Sequence, residues 1–154
     1  MSFLIIYVGL IALINIGFHH IPLIPLFGEM WPPLSLAVGF IFIARDLAQR
    51  QVGHWVWLGM IIGCILSWLM ADPFIAIASA TAFIVSEAID WAVYTWTKKP
   101  LRQRILLSSA MAAPIDSVVF LLMIGHLSTV GAAMMIASKM IAVAVIWKFI
   151  EREE

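Results

Sequence analysis

Residues 74–97 read FIAIASATAFIVSEAIDWAVYTWT and are followed at once by Lys98, Lys99 and Pro100. At about 1.5 Å per residue a helix of this length exceeds the roughly 30 Å hydrocarbon core of a bilayer. Its two charges, Glu87 and Asp90, are three residues apart and share one helix face. That face continues through Ala76, Ala80, Phe83 and Tyr94 at spacings of four and three, and most of the rest is Ile, Val, Ala and Thr. The stretch reads as a membrane span with a single polar stripe turned towards protein.

Composition extends this reading to the whole chain. Of 154 residues, 64% are apolar and 12% charged, and the mean hydropathy is +1.05. A soluble domain carries about 45–50% apolar and about 25% charged residues. Nine Lys and Arg balance nine Asp and Glu, and there is one cysteine, Cys64. No charge excess marks a nucleic-acid binder, and no cysteine framework marks a stapled secreted module. Pro, Gly and charge divide the chain into segments 2–18, 33–50, 53–70, 74–97, 103–125 and 128–149. The expected fold is all-α: an integral membrane bundle of six transmembrane helices forming one transmembrane domain over 1–154, with almost nothing outside the bilayer. The run Phe3 to Phe18 has no preceding positive residue and no small-residue cleavage pattern after it, so it reads as a retained first helix.

Segment two is the least regular. Only Leu34 to Ala44 is uninterrupted before Arg45 and Asp46, so this helix either stops short or faces the bundle. The connector 19–33 carries Pro22, Pro25, Pro32 and Pro33. It is expected to be a surface loop, with an interfacial or re-entrant course as the other reading. Orientation follows from the cations, which concentrate on the cytoplasmic side. Arg45 and Arg50 end segment two, Lys98, Lys99, Arg102 and Arg104 separate segments four and five, and Lys148 and Arg152 close the chain, while the alternate connectors hold no Lys or Arg. Both termini are therefore expected in the cytoplasm, and Lys139 within the membrane.

Trp31, Trp55, Trp57, Trp96 and Trp147 fall near span ends, where indoles anchor at the headgroups. The Gly59-Met-Ile-Ile-Gly63 pattern permits close helix approach, and Cys64 reads as a small apolar group. His19, His20, His54 and His126 lie at interfaces. A site made of His19, His20 and Glu29 is a poor metal site because adjacent residues seldom converge on one ion, so no metal and no cofactor is expected. No nucleotide loop, HExxH helix or nucleophile elbow occurs, and no enzymatic activity is expected.

The informative residues are the intramembrane charges Asp46, Glu87, Asp90, Asp116 and Lys139. Each costs roughly 2.5–3.5 kcal/mol to insert at mid-bilayer. They fall into one layer of depth, central to inner-leaflet. The short connection from Gly125 to Ser128 puts Asp116 and Lys139 at nearly equal depth, so they can pair. Asp46, Glu87 and Asp90 are then left without a cation at mid-membrane, although Arg50 and Arg45 can reach Asp46 or Asp90 from the cytoplasmic end. Surplus carboxylates are protonated, hold a cation or accept hydrogen bonds from a polar ligand, and each of these implies a site. A buried pair that only fixes helix register is the competing reading.

Taken in order, the polar sites are Asn15, then Phe42-Ile-Ala-Arg-Asp46-Leu-Ala-Gln-Arg50-Gln-Val-Gly53, then Ser86-Glu87-Ala-Ile-Asp90-Trp-Ala-Val-Tyr94 with Lys98-Lys99. Arg104, Ser108-Ser109, Pro114-Ile-Asp116-Ser117-Val-Val-Phe120 and Ser138-Lys139 follow. In this order the chain resembles the vitamin-uptake-type family of queuosine precursor transporters, bacterial inner-membrane proteins. Departures are Glu87 where the family usually has Gln, Arg50 where it often has an acid, and a shorter chain. The resemblance implies import of a deazaguanine base such as 7-cyano-7-deazaguanine, a small planar nucleobase-like substrate. It implies that Glu87 or Asp90 accepts from the paired N–H donors of the base, that Lys139 or Ser117 donates to the ring carbonyl or nitrile, and that Asn15 supplies an amide contact. Phe83, Trp91 or Tyr94 would flank the ring, and Asp46 and Asp116 carry over with either a ligand or a helix-pairing role. Other readings are a substrate-binding subunit for another small planar vitamin or nucleobase, a non-transporting helix-assembly subunit, and a cation or proton pathway. The expected partners are this substrate and the lipid bilayer, with a homodimer as one assembly and no nucleic acid.

Overall fold

The computed structural model describes residues 2–70 and 73–148. Arg152, counted above among the cytoplasmic cations, lies outside them, as do the side chains of His19 and Ala76. The chain is all-helical apart from one small hairpin: α1 (Ser2–His20), β1 (Ile24–Leu26), β2 (Glu29–Trp31), α2 (Ser35–Val52), a 3-10 turn at Gly53–Trp55, α3 (Val56–Met70), α4 (Pro73–Trp96), α5 (Leu101–Met123) and α6 (Thr129–Trp147). Among the described residues four helical stretches are long and apolar enough to cross a membrane, Ser35–Met70, Ile77–Trp96, Leu101–Met123 and Thr129–Trp147, and Ser2–Phe18 is a shorter apolar helix.

The stretch Ser35–Met70 is two helices that run in opposite directions. Gly53 ends α2 with φ 60°, a left-handed conformation that costs glycine little. Along α1, Gly17 lies against Leu34 and the Phe3 amide donates to Gln51 Oε1 at 3.1 Å, so α2 is antiparallel to it. Gly59 meets Tyr7, Gly63 meets Ile11 and Asn15 meets Ser67, so α3 is parallel to α1. The Gly59/Gly63 pair thus serves the close approach read from its spacing, and its partner is α1.

The same alternation continues. Ser86 faces Asp116 and Arg104 lies over Tyr94, which makes α5 antiparallel to α4. Arg102 and Trp147 grip each other through the Arg102 Nε to Trp147 carbonyl bond at 3.2 Å and the reciprocal indole bond at 3.0 Å. The turn between α5 and α6 closes α5 with Gly125 at φ 75°, the His126 amide on the Leu121 carbonyl and the Gly125 amide on the Leu122 carbonyl, a six-residue glycine cap. Ser128 then caps α6 by accepting from the Gly131 amide at 2.9 Å. Ser2 and Lys148, the ends of the described chain, consequently lie at the same end of the bundle as Arg50, Lys98, Lys99 and Arg102.

The least regular segment is the central helix. α2 packs against the five other helices and buries residues from Ser35 to Gln49. It does not stop at Arg45 and Asp46; it faces the bundle, the second of the two courses open to it. At Gly39 the backbone carbonyl of Lys139 and Ala142 Cβ of α6 occupy the place of a Cβ. A larger residue there would push α2 off α6. One core cluster joins α1, α2 and α3 through Tyr7, Ile11, Ile41, Ala48 and Met60, and another joins α2, α4, α5 and α6 through Ile43, Tyr94, Ile105 and Val143.

The connector 19–33 differs from the expected loop. Ile24 pairs with Trp31 and Leu26 with Glu29 in an antiparallel hairpin, turned by Phe27 and Gly28, both at positive φ, as a two-residue turn of this twist requires. The Trp31 indole donates to Ser138 Oγ at 3.0 Å and ties the hairpin to α6.

Candidate functional site

The intramembrane charges sort into two centres at different depths. The first surrounds Arg45, which is fully buried at the middle of α2. Its Nη1 lies 2.6 Å from Asp46 Oδ1, its Nε 3.3 Å from Glu87 Oε2 and its Nη2 2.9 Å from Asp90 Oδ2, and all four side chains have zero exposure. Arg45 thus reaches Asp46 and Asp90, the alternative left open by the sequence, and it reaches Glu87 as well, which the sequence left without a cation. Continuing α2 to Val52 places Arg45 well inside the bundle, and the i, i+3 spacing of Glu87 and Asp90 aims both acids at one guanidinium. Tyr7 donates to Glu87 Oε2 at 2.8 Å and Ser108 to Asp46 Oδ2 at 2.9 Å. Gln49 accepts from Arg45 and donates to Thr95, both at 2.8 Å.

The second centre is the ion pair between Lys139 of α6 and Asp116 of α5, residues that the short connection brings to equal depth. Lys139 also donates to Ser117 Oγ at 2.9 Å, and Ser86 donates to Asp116 Oδ1 at 3.2 Å. Asp116 and Lys139 face a cavity of about 100 Å³ whose walls include Asn15, Ser67, Phe83 and Phe120. Since a water needs about 10–15 Å³ of such space, it has room for several waters or a small ligand. The Asn15 amide nitrogen is taken by the Ile11 carbonyl at 2.8 Å and Ser67 Oγ at 2.7 Å, which leaves its oxygen as an acceptor. The wall is otherwise mostly apolar, with Ile11, Ile14, Phe18, Val38, Ile41 and Met135 among it.

Of the residues singled out from the sequence, Asn15, Phe83, Asp116 and Lys139 line this cavity, and Ser117 supports Lys139. Asp46, Glu87 and Asp90 do not line it; they gather on Arg45. Trp91 lies towards the end with the termini, its indole donating to His54 Nδ1 at 3.2 Å and edge-on to Trp57 at 5.3 Å. Tyr94 is buried beneath Arg104, whose guanidinium sits 4.6 Å from its ring. The reading of the sequence passed over Tyr7 and Ser67, and gave Ser86 no role of its own. A signal for Tyr7 existed, since Tyr7 and Asn15 fall on one stripe of α1 with Ile11 between them. Among the described residues no group of three His, Cys, Asp or Glu side chains could hold a metal ion.

Apolar helices long enough to cross a bilayer, with the Lys and Arg of the described residues confined to the bundle's interior and one end, are compatible with a helical membrane protein. No family model, curated protein or solved structure matches the chain.

Proposed function

We propose that this is a membrane transporter of six spans, with both termini cytoplasmic, that imports a queuosine precursor of the deazaguanine class across the bacterial inner membrane. The observation that carries the reading is the Asp116–Lys139 pair on the wall of an otherwise apolar cavity. A ring lactam presents an N–H beside a C=O, and a carboxylate next to an ammonium matches that edge: Asp116 accepts from the ring N–H and its neighbouring amine, while Lys139 donates to the ring oxygen. Phe83 and Phe120 offer flat apolar faces, and the Asn15 oxygen is a further acceptor. On this geometry Asp116 takes the role that the family resemblance gives to Glu87 or Asp90.

Six spans with inner termini accord with helices that alternate in direction and with the gathering of Lys and Arg at the end that holds Ser2 and Lys148. The closed Arg45 centre favours a second reading, in which the charges only fix helix register in a non-transporting assembly subunit. Feeding a labelled deazaguanine to cells that lack their own precursor synthesis separates the two. The transport reading predicts labelled queuosine in tRNA only when this protein is present, and equal labelling with and without it contradicts that reading.

A further inference from the structure

We propose that the Arg45 centre is a proton-binding site, loaded from the charged end of the bundle along a polar seam between α2, α4 and α5. One guanidinium faces three carboxylates, so the formal sum is one positive against three negative charges at zero exposure. Four of the five N–H donors of Arg45 go to Asp46, Gln49, Glu87 Oε2 and the Glu87 carbonyl. Glu87 Oε1 and Asp90 Oδ1 are buried with no hydrogen-bond partner, and Asp90 Oδ2 lies at ion-pair distance from Arg45 without hydrogen-bond alignment. Buried carboxylate oxygens in this condition are rare. A proton added to one of them converts an acceptor into a donor and removes one surplus charge.

A metal ion is the poorer occupant, because no group of three possible ligands converges among the described residues, whereas a proton needs one oxygen. The titratable and charged groups around Glu87 are Tyr7 of α1, Arg45 and Asp46 of α2, Cys64 of α3, Asp90 on its own helix and Asp116 of α5. Asp116 belongs to the cavity, and Ser86, the chain neighbour of Glu87, holds its Oδ1. A change of charge at Glu87 is thereby one residue away from the group that contacts the ligand.

The seam to the outside is marked by further buried polar atoms without partners. Ser109 Oγ is buried next to Ser108, at the level of the centre, while Tyr94 Oη lies one turn beyond Asp90 and Arg104 Nε is level with Tyr94, towards the end that carries Lys98 and Arg102. The step is a simple transfer: hydronium at that end gives its proton to a carboxylate, leaving water and a carboxylic acid. The site adds an energy source to the proposed import but is measured without any base present, so the two stand or fall separately.

Infrared difference spectra of the full chain in lipid nanodiscs, between mildly acidic and mildly alkaline buffers, test it. The expected result is a carboxylic-acid C=O band that is present on the acid side and lost on the alkaline side. It shifts on carbon-13 labelling of either glutamate or aspartate and disappears in Glu87→Gln or Asp90→Asn accordingly. Labelling keeps the assignment open to test in the unaltered protein should those variants not fold. Tyr94→Phe combined with Ser109→Ala should slow the exchange several-fold at an unchanged midpoint, and an unchanged rate overturns the seam. The absence of any pH-dependent carboxyl band, or a band that follows sodium at constant pH, overturns the site.

Discussion

Tyr7 of α1 and Glu87 of α4, 80 positions apart in sequence, meet in the middle of the bundle, where the phenol donates to the carboxylate at 2.8 Å with both residues buried. The bond fixes the register of the first helix against the fourth and directs Glu87 Oε2 towards Arg45. Removing the hydroxyl leaves a buried carboxylate oxygen with one donor fewer, which costs about 1–3 kcal/mol. Tyr7→Phe should therefore lower the thermal midpoint of the detergent-solubilised protein while leaving helix content unchanged, as read by circular dichroism.

Arg45 is the shared partner of three acids, so its loss is more damaging than the loss of any one of them. Breaking a buried pair by removing one member costs about 3–5 kcal/mol. Arg45→Gln should fail to yield folded protein by size-exclusion chromatography. Arg45→Lys should not rescue it, because a single ammonium cannot span the fork that reaches Asp46, Glu87 and Asp90 at once.

Gly39 allows α2 to lie against the Lys139 carbonyl and Ala142 of α6, whereas a Cβ at Gly9 would meet nothing within 4 Å. Gly39→Val should cost about 1–3 kcal/mol through overpacking. Gly9→Ala should be neutral or slightly stabilising, since alanine is the better helix former by about 1 kcal/mol. Thermal unfolding of the two variants side by side checks the contrast.

Membrane orientation has its own test. Phe27, at the tip of the hairpin, is 81% exposed, and Lys99 lies exposed at the opposite end of the bundle. After Cys64→Ala, an impermeant thiol reagent should label Phe27→Cys on intact cells and Lys99→Cys only after the inner membrane is opened. The reverse pattern would place the termini outside.

The helical class and the pairing of Asp116 with Lys139 were legible in the sequence. Hydropathy reports the first directly, and a short α5–α6 connection converts sequence distance into depth for the second. The course of α2 was less accessible. Arg45 and Asp46 resemble a helix end when each residue is scored against lipid, and their burial follows only from α2 being surrounded by other helices, which no local pattern reveals. The hairpin was hidden for a different reason: its turn uses Phe27 at positive φ in place of the Asn or Asp that usually announces such a turn. Glu87 and Asp90 lie apart from the cavity because rough depth along a span does not fix which face of α4 meets which neighbour. Ser86 of α4 turns to Asp116, and its neighbour Glu87 turns to Arg45.

The proposed import rests on recognition of a lactam edge by the Asp116–Lys139 pair. Its most direct test is a thermal-shift titration of the purified protein with 7-cyano-7-deazaguanine and, in parallel, with a deazaadenine of the same size that lacks the ring lactam. Ligand at about one hundred times its dissociation constant adds about 2.7 kcal/mol to folded-state stability. A saturable rise in midpoint is expected with the deazaguanine alone, lost in Asp116→Asn and in Lys139→Met. Equal shifts with both bases, or a deazaguanine shift that survives both substitutions, would contradict it.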